Sequence, residues 1–221
     1  MTASTETTGP QAAPGGTVDA VETVEERPRL VVIIGSTRPD RFGPTPASWF
    51  AREAEKHAGF DVDLVDLAGF DLPPGLGGND PDAALPEDVA ALGRRLVRAD
   101  AFVVVTPTYN RSYASVLKTA IDWFYSEWSL KPVGFVAYGG HFGAFPPIEH
   151  LRGVFVEFNA VPLRDAVVLQ RFWERFDHDG RAVDAERMGR WAHKMLDQLT
   201  WWALSLKESR ARREYPAGIA E

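Results

Sequence analysis

"RLVVIIGSTRPDRFGP", Arg29 to Pro44, passes from a run of branched apolar residues into a loop holding Gly, Ser, Thr, two Arg and two Pro. An unbroken apolar run suits a strand covered on both faces, because an alternating run would leave one face to water. Behind it, "PTPASWFAREAEKHAG" (44–59) sets Ala47, Phe50, Ala51 and Ala54 on one side of a helix that Gly59 stops. The unit is strand, loop, helix, and it recurs. "FDVDLVDL" (60–67) alternates apolar and acidic residues as a half-exposed edge strand, and "PEDVAALGRRLVRAD" (86–100) is an amphipathic helix. "AFVVVTP" (101–107) and "PVGFVAYGG" (132–140) are buried strands, and "VPLRDAVVL" (161–169) is a fifth. Helices are expected over 113–128, 145–160 and 184–209, the last with an apolar stripe of Met188, Trp191, Met195, Leu199 and Trp202. Strand and helix alternating five times predict an α/β fold, a doubly wound parallel sheet with helices on both faces.

A chain of 221 residues with 45% apolar content is long enough for one domain with a substantial core. The net charge of −7 argues against nucleic-acid binding, since a duplex repels such a surface. The absence of cysteine excludes disulfides, thiolate nucleophiles and zinc–thiolate sites. The histidines show no ligand spacing, so no metal is expected, and no apolar run is long enough to span a membrane. The opening residues have neither a basic start nor an apolar stretch, so a cytoplasmic protein is expected. Residues 1–28, rich in Thr, Ala, Gly, Pro and Glu, read as a flexible tail. The domain is expected over 29–209, with 210–221 as a C-terminal tail and "KESRARR" (207–213) as a solvated end.

In sheets of this kind ligands bind beyond the carboxyl ends of the strands. Three such loops have unusual compositions. In the first, 35–44, Ser36 and Thr37 bring hydroxyls, Arg38 and Arg41 bring planar forks suited to phosphate, and Gly35 and Gly43 allow close backbone approach. It opens a helix, whose N-terminal amides favour an anion. The second, "TPTYNRSY" (106–113), offers Tyr109 as a flat ring, Asn110 as donor and acceptor, and Ser112 as a helix cap. The third, "YGGHFGA" (138–144), joins three glycines to aromatic residues, as suits a backbone lying against something flat.

Taken together, the loops resemble those of the NADPH-dependent FMN reductases, a flavodoxin-like family. "GSTRPDRFGP" is similar to the family's phosphate loop, "PTYNRSYASVLKTAIDW" to its flavin-ring segment and "KPVGFVAYGG" to its third signature, across about Leu30 to Gln198. The resemblance implies a three-layer sandwich whose five-stranded parallel sheet runs 2-1-3-4-5. It implies that Ser36, Arg38, Arg41, Phe42 and Gly43 enclose the FMN phosphate. Pro107, Thr108, Tyr109, Asn110 and Arg111 would line the flavin ring, with Tyr138, Gly139 and Gly140 at its other part. Lys118 and Asp122 would lie on a helix of a subunit interface, giving a homodimer or homotetramer. NADPH or NADH would reduce the flavin, which would then pass electrons to a flavin, quinone or other small acceptor in ping-pong fashion. No side-chain acid or base is required, and Arg111 and His141 stand as the catalytic candidates, at positions where the family commonly has small residues. Two other readings share the fold: a flavodoxin-type electron carrier, which the two arginines of the first loop disfavour, and a flavoenzyme dedicated to one metabolite.

Overall fold

The structure, a computed structural model, describes residues 27–74 and 84–216. The expected tail of 1–28 lies almost wholly outside the described residues, as do the centre of the 72–86 loop and the last five positions. The chain runs β1 (Arg29–Ile34), α1 (Pro44–His57), β2 (Asp61–Asp66), α2 (Glu87–Val97), β3 (Ala101–Pro107), α3 (Ser115–Asp122), β4 (Pro132–Gly139), α4 (Pro146–Glu157), β5 (Val161–Pro162), β6 (Val167–Gln170) and α5 (Ala185–Arg212). All strand pairs are parallel, in the order β2-β1-β3-β4-β5, with β6 also paired to β4. This is the flavodoxin-like order, and it brings every strand's carboxyl end to one edge.

The unbroken apolar strands divide their side chains between two cores. Val31, Ile33, Phe102, Val104, Val133 and Phe135 face α2, α3 and α4 with Leu92, Leu117, Ile121, Leu151 and Phe155. Leu30, Val32, Val103, Val105 and Val136 face α1 and α5 with Phe50, Met188, Met195 and Leu199. Each fully buried side chain of this size contributes roughly 1.5–3 kcal/mol. β2 forms one edge of the sheet, with Asp61 and Leu64 exposed and Val65 buried, so its burial only partly follows the alternation of its sequence. There Asp63 accepts from Arg29 and Arg95, and the two guanidiniums hold its carboxyl below the ordinary range against the opposing effect of burial.

Three expectations need correction. The helix expected over 113–128 stops at Asp122. Trp128 is buried against Phe102 and Phe155, and its indole N–H donates to the Ile121 carbonyl, so the aromatic core takes an acceptor that a continuing helix would use. The fifth strand is broken. Val133 faces Pro162 and Val136 faces Val167, so three steps along β4 meet five on its neighbour, a two-residue bulge. Arg152 donates to the Leu163 and Arg164 carbonyls that the bulge leaves over. The basic run at 207–213 is solvated only in part, because α5 continues to Arg212, and Lys207 and Arg210 both pair with Asp100 at 3.0 Å. Among the described residues no helix is long and apolar enough to cross a membrane.

Candidate functional site

The first loop begins where β1 ends. Gly35 donates to the Val105 carbonyl at 2.8 Å, and a Cβ there would press on Leu117, so the chain leaves the sheet tight against it. Ser36 is fully buried, its hydroxyl 3.3 Å from that of Tyr138. A Cβ on Gly43 would come within 2.7 Å of the Ser36 Oγ, so the loop closes over this hydroxyl pair only with glycine. The amides of Ser36, Thr37, Arg38, Asp40, Arg41, Phe42 and Gly43 donate to no protein acceptor among the described residues. Such a row of unspent donors forms an anion cradle. The helix start contributes less than the sequence suggests: Pro44 and Pro46 have no N–H, and the Thr45 amide is spent on the Phe42 carbonyl.

The two loop arginines differ. Arg41 is bonded to Asp66 at the end of β2, with its Nε buried and unpartnered. Arg38 is exposed, makes no ion pair among the described residues and lies 5.7 Å over the Tyr109 ring, bridging the first and second loops. Phe42 is half-buried against Tyr138, Phe172 and Phe176. Tyr138 belongs to that same cluster, and its hydroxyl lies beside Ser36 at the floor of the first loop. Burial pushes its phenol up to about 12, so it remains a neutral hydroxyl.

The second loop is a tight reversal. Tyr109 and Ser112 exchange backbone hydrogen bonds of 2.8 and 2.9 Å, and Asn110 and Arg111 between them have φ of 49° and 69°. Two left-handed central residues define a type I′ turn, which turns the unspent amides of Asn110 and Arg111 outward. Pro107 is buried as the last residue of β3. Thr108 donates its amide to the Tyr138 carbonyl, while its Oγ1 is buried with no partner. Ser112 does not cap α3; its hydroxyl lies 3.0 Å from His150 Nδ1.

The third loop packs beside the second. A Cβ on Gly139 would stand 2.5 Å from the Gly143 carbonyl oxygen and 2.9 Å from the Thr108 Oγ1. Thr108, Asn110, Arg111, Gly140, His141, Phe142, Gly143 and Pro146 enclose an open cleft of about 230 Å³ between the two loops. His141 is exposed, with its ring 5.3 Å from Trp173 and its carbonyl accepting from Gln170. Gln170, Phe172 and Trp173 follow the fifth strand, a loop the sequence reading passed over. The signal was there, since "QRFWERF" after a strand is as rich in aromatics as the third loop. Asp66 was missed as well.

Three strand-end loops thus meet at one edge: a row of free amides with a cation, a turn with free amides, and a glycine backbone. An unpartnered buried hydroxyl lies between the last two. These donors fit a phosphate joined to a flat heterocycle, as FMN is. The family model described as NADPH-dependent FMN reductase matches residues 28–174. An NAD(P)H-dependent FMN reductase of Schizosaccharomyces pombe is 37% identical over 150 residues, 65% of this chain and 74% of the relative. A 2-hydroxy-1,4-benzoquinone reductase of Burkholderia sp. is 32% identical over 79% of this chain and 95% of its own length. Among solved structures, the flavoenzyme NAD(P)H:(acceptor) oxidoreductase FerB from Paracoccus denitrificans superposes with a TM-score of 0.67 at 26% identity, covering 80% of this chain and 98% of that one.

Proposed function

This chain belongs to the NADPH-dependent FMN reductase family, and on that premise we propose that it is an FMN-dependent NAD(P)H oxidoreductase acting on a small acceptor such as a flavin or quinone. When bound, FMN would supply the redox chemistry, hydride acceptance from NAD(P)H and electron transfer to the acceptor. The protein binds and orients. The amides of 36–38 and 40–43, the Ser36 hydroxyl and the Arg38 guanidinium hold the phosphate, with Phe42 and Gly43 closing the loop around it. Asp66 fixes Arg41, so that arginine shapes the loop and adds its charge from the side. Pro107, Thr108, Tyr109, Asn110 and Arg111 line one edge of the ring, and Gly139 and Gly140 let the other edge lie against backbone. The Asn110 and Arg111 amides, fixed by the turn, present donors toward charge that develops on the ring. Among the residues lining the cleft only Arg111 and His141 are titratable, and hydride and electron transfer at a bound flavin would require no protein acid or base.

The observation that carries this reading is the convergence of unspent amides from two loops with the unpartnered Thr108 hydroxyl. Purified protein is expected to be yellow and to oxidise NADPH or NADH steadily when quinone or free FMN is added. Bound flavin without turnover would leave an electron carrier instead. Arg38→Ala is expected to lower flavin occupancy severalfold at unchanged helical content, and unchanged occupancy would refute the phosphate assignment. We further propose a cytoplasmic protein that works as a homodimer or homotetramer.

A further inference from the structure

Arg111 differs from the other arginines around the site. Arg41 is held by Asp66, Arg152 by Glu149 and Arg171 by Glu174, while Arg38 lies over Tyr109. Arg111 is exposed, makes no ion pair among the described residues and lines the cleft between the second and third loops. Its φ of 69° falls where glycine is free and a residue with a Cβ is penalised. The turn itself has no need of a guanidinium, because glycine would close it with less strain.

The facing wall is aromatic. Phe142 is 96% exposed, a large apolar ring left open by the described residues, at the mouth of the cleft. The His141 ring stands edge-on to Trp173, their centroids 5.3 Å apart, and the Trp173 ring lies beside the Gly140 backbone. None of the cleft's lining residues is acidic. One free cation, flat apolar walls and no carboxylate complement a planar organic anion.

We propose that Arg111 is a specificity residue that selects planar anionic acceptors, with an ionised hydroxyquinone as the type. With the flavin ring between the second and third loops, the acceptor ring would stand over it at the mouth of the cleft, beside Phe142 and His141, with its oxyanion toward the Arg111 guanidinium. This rests on the reductase reading above. A 2-hydroxy-1,4-quinone is a vinylogous acid and is an anion at neutral pH. In its reduction NAD(P)H gives a hydride, two electrons with one proton, and two further protons are taken up from the solvent as H+. The products are NAD(P)+ and a neutral triol. The charge that Arg111 holds is therefore lost in the reaction, which favours departure of the product.

The test compares flavin-loaded wild type, Arg111→Gly and Arg111→Lys, each at matched flavin content. It measures kcat/KM for 2-hydroxy-1,4-benzoquinone and for uncharged 1,4-benzoquinone, with NADPH and with NADH. The ratio of the two acceptors cancels any general loss of activity. It is expected to fall about tenfold in Arg111→Gly, the size of one charge-assisted hydrogen bond, and to recover partly in Arg111→Lys. Without any NAD(P)H, quenching of tryptophan fluorescence by the hydroxyquinone is expected to show binding that salt weakens and that Arg111→Gly weakens similarly. A ratio within about twofold of wild type would overturn the proposal. So would a change confined to KM for NADPH, which would place Arg111 on the 2′-phosphate of the dinucleotide. No oxidation of NAD(P)H by wild type with any acceptor would defeat the reductase reading itself, and this inference with it.

Discussion

Gly139 shows how little room the site leaves. The strand must end with its backbone against the Gly143 carbonyl and the Thr108 hydroxyl, and any Cβ would stand 2.5 Å from that carbonyl oxygen. The obstructing atom is backbone, so no side-chain rotation relieves it. Gly139→Ala is expected to displace the third loop and cost about 1–3 kcal/mol, the usual size of an overpacking substitution. Calorimetry and flavin content check this together, and a variant with wild-type melting temperature and full flavin would refute the tight approach. The glycines of the third loop were legible in the sequence as places of close approach. What they approach was not, because Thr108 and Gly143 come from different strand ends. The same holds for Arg41. Its pairing with Asp66 follows from the parallel register that sets Ile34 beside Asp66, a fact of the sheet and not of the loop.

The elements are tied together by a few buried charges. Lys131, just before β4, is 7% exposed and donates to the Leu96 and Val97 carbonyls at the end of α2. A cation there caps the helix and complements its dipole. Burial, reinforced by Arg210 and opposed by Asp100, pushes its pKa down to about 8 from 10.5. Between those values the unfolded chain binds the proton and the folded chain does not, so stability gains from this group as pH rises through that window. Relative to Lys131→Met, wild type is expected to gain on the order of 3 kcal/mol between pH 8 and 10.5. Urea unfolding at several pH values measures the difference, and a flat or falling one would show that the ammonium stays protonated. The apolar runs announced the strands, and the amphipathic stripes announced the helices. The short α3 and the bulged fifth strand were hidden, since the first depends on where Trp128 finds its core and the second on how β4 aligns with its neighbour.

In the whole molecule, Asp100 gathers the edge opposite the site. It accepts from the Arg29 amide and pairs with Lys207 and Arg210, joining the start of β1 to the end of α5. The site edge is thus left to loops alone, and the other edge is closed by charge. Lys118 and Asp122, which the resemblance places at a subunit interface, pair with each other at 2.6 Å on α3. Tyr125 and Val156 are about half exposed, and the Tyr125 hydroxyl donates to the carbonyl of Glu157, the residue after Val156 on α4. If the proposed oligomer uses this face, Val156→Asp is expected to shift the mass seen by light scattering toward the monomer. An unchanged mass would assign the interface elsewhere. The sequence by itself determined the alternation of strands and helices, the parallel sheet and the three loops worth inspecting, because burial on both faces and helical periodicity are written in local order. Only the tertiary structure decided that Arg41 belongs to Asp66, that Tyr138 lies under the first loop, and that Trp173 joins His141 at the cleft. Each of those contacts crosses between strands, and parallel register, which no single segment encodes, sets which residues meet.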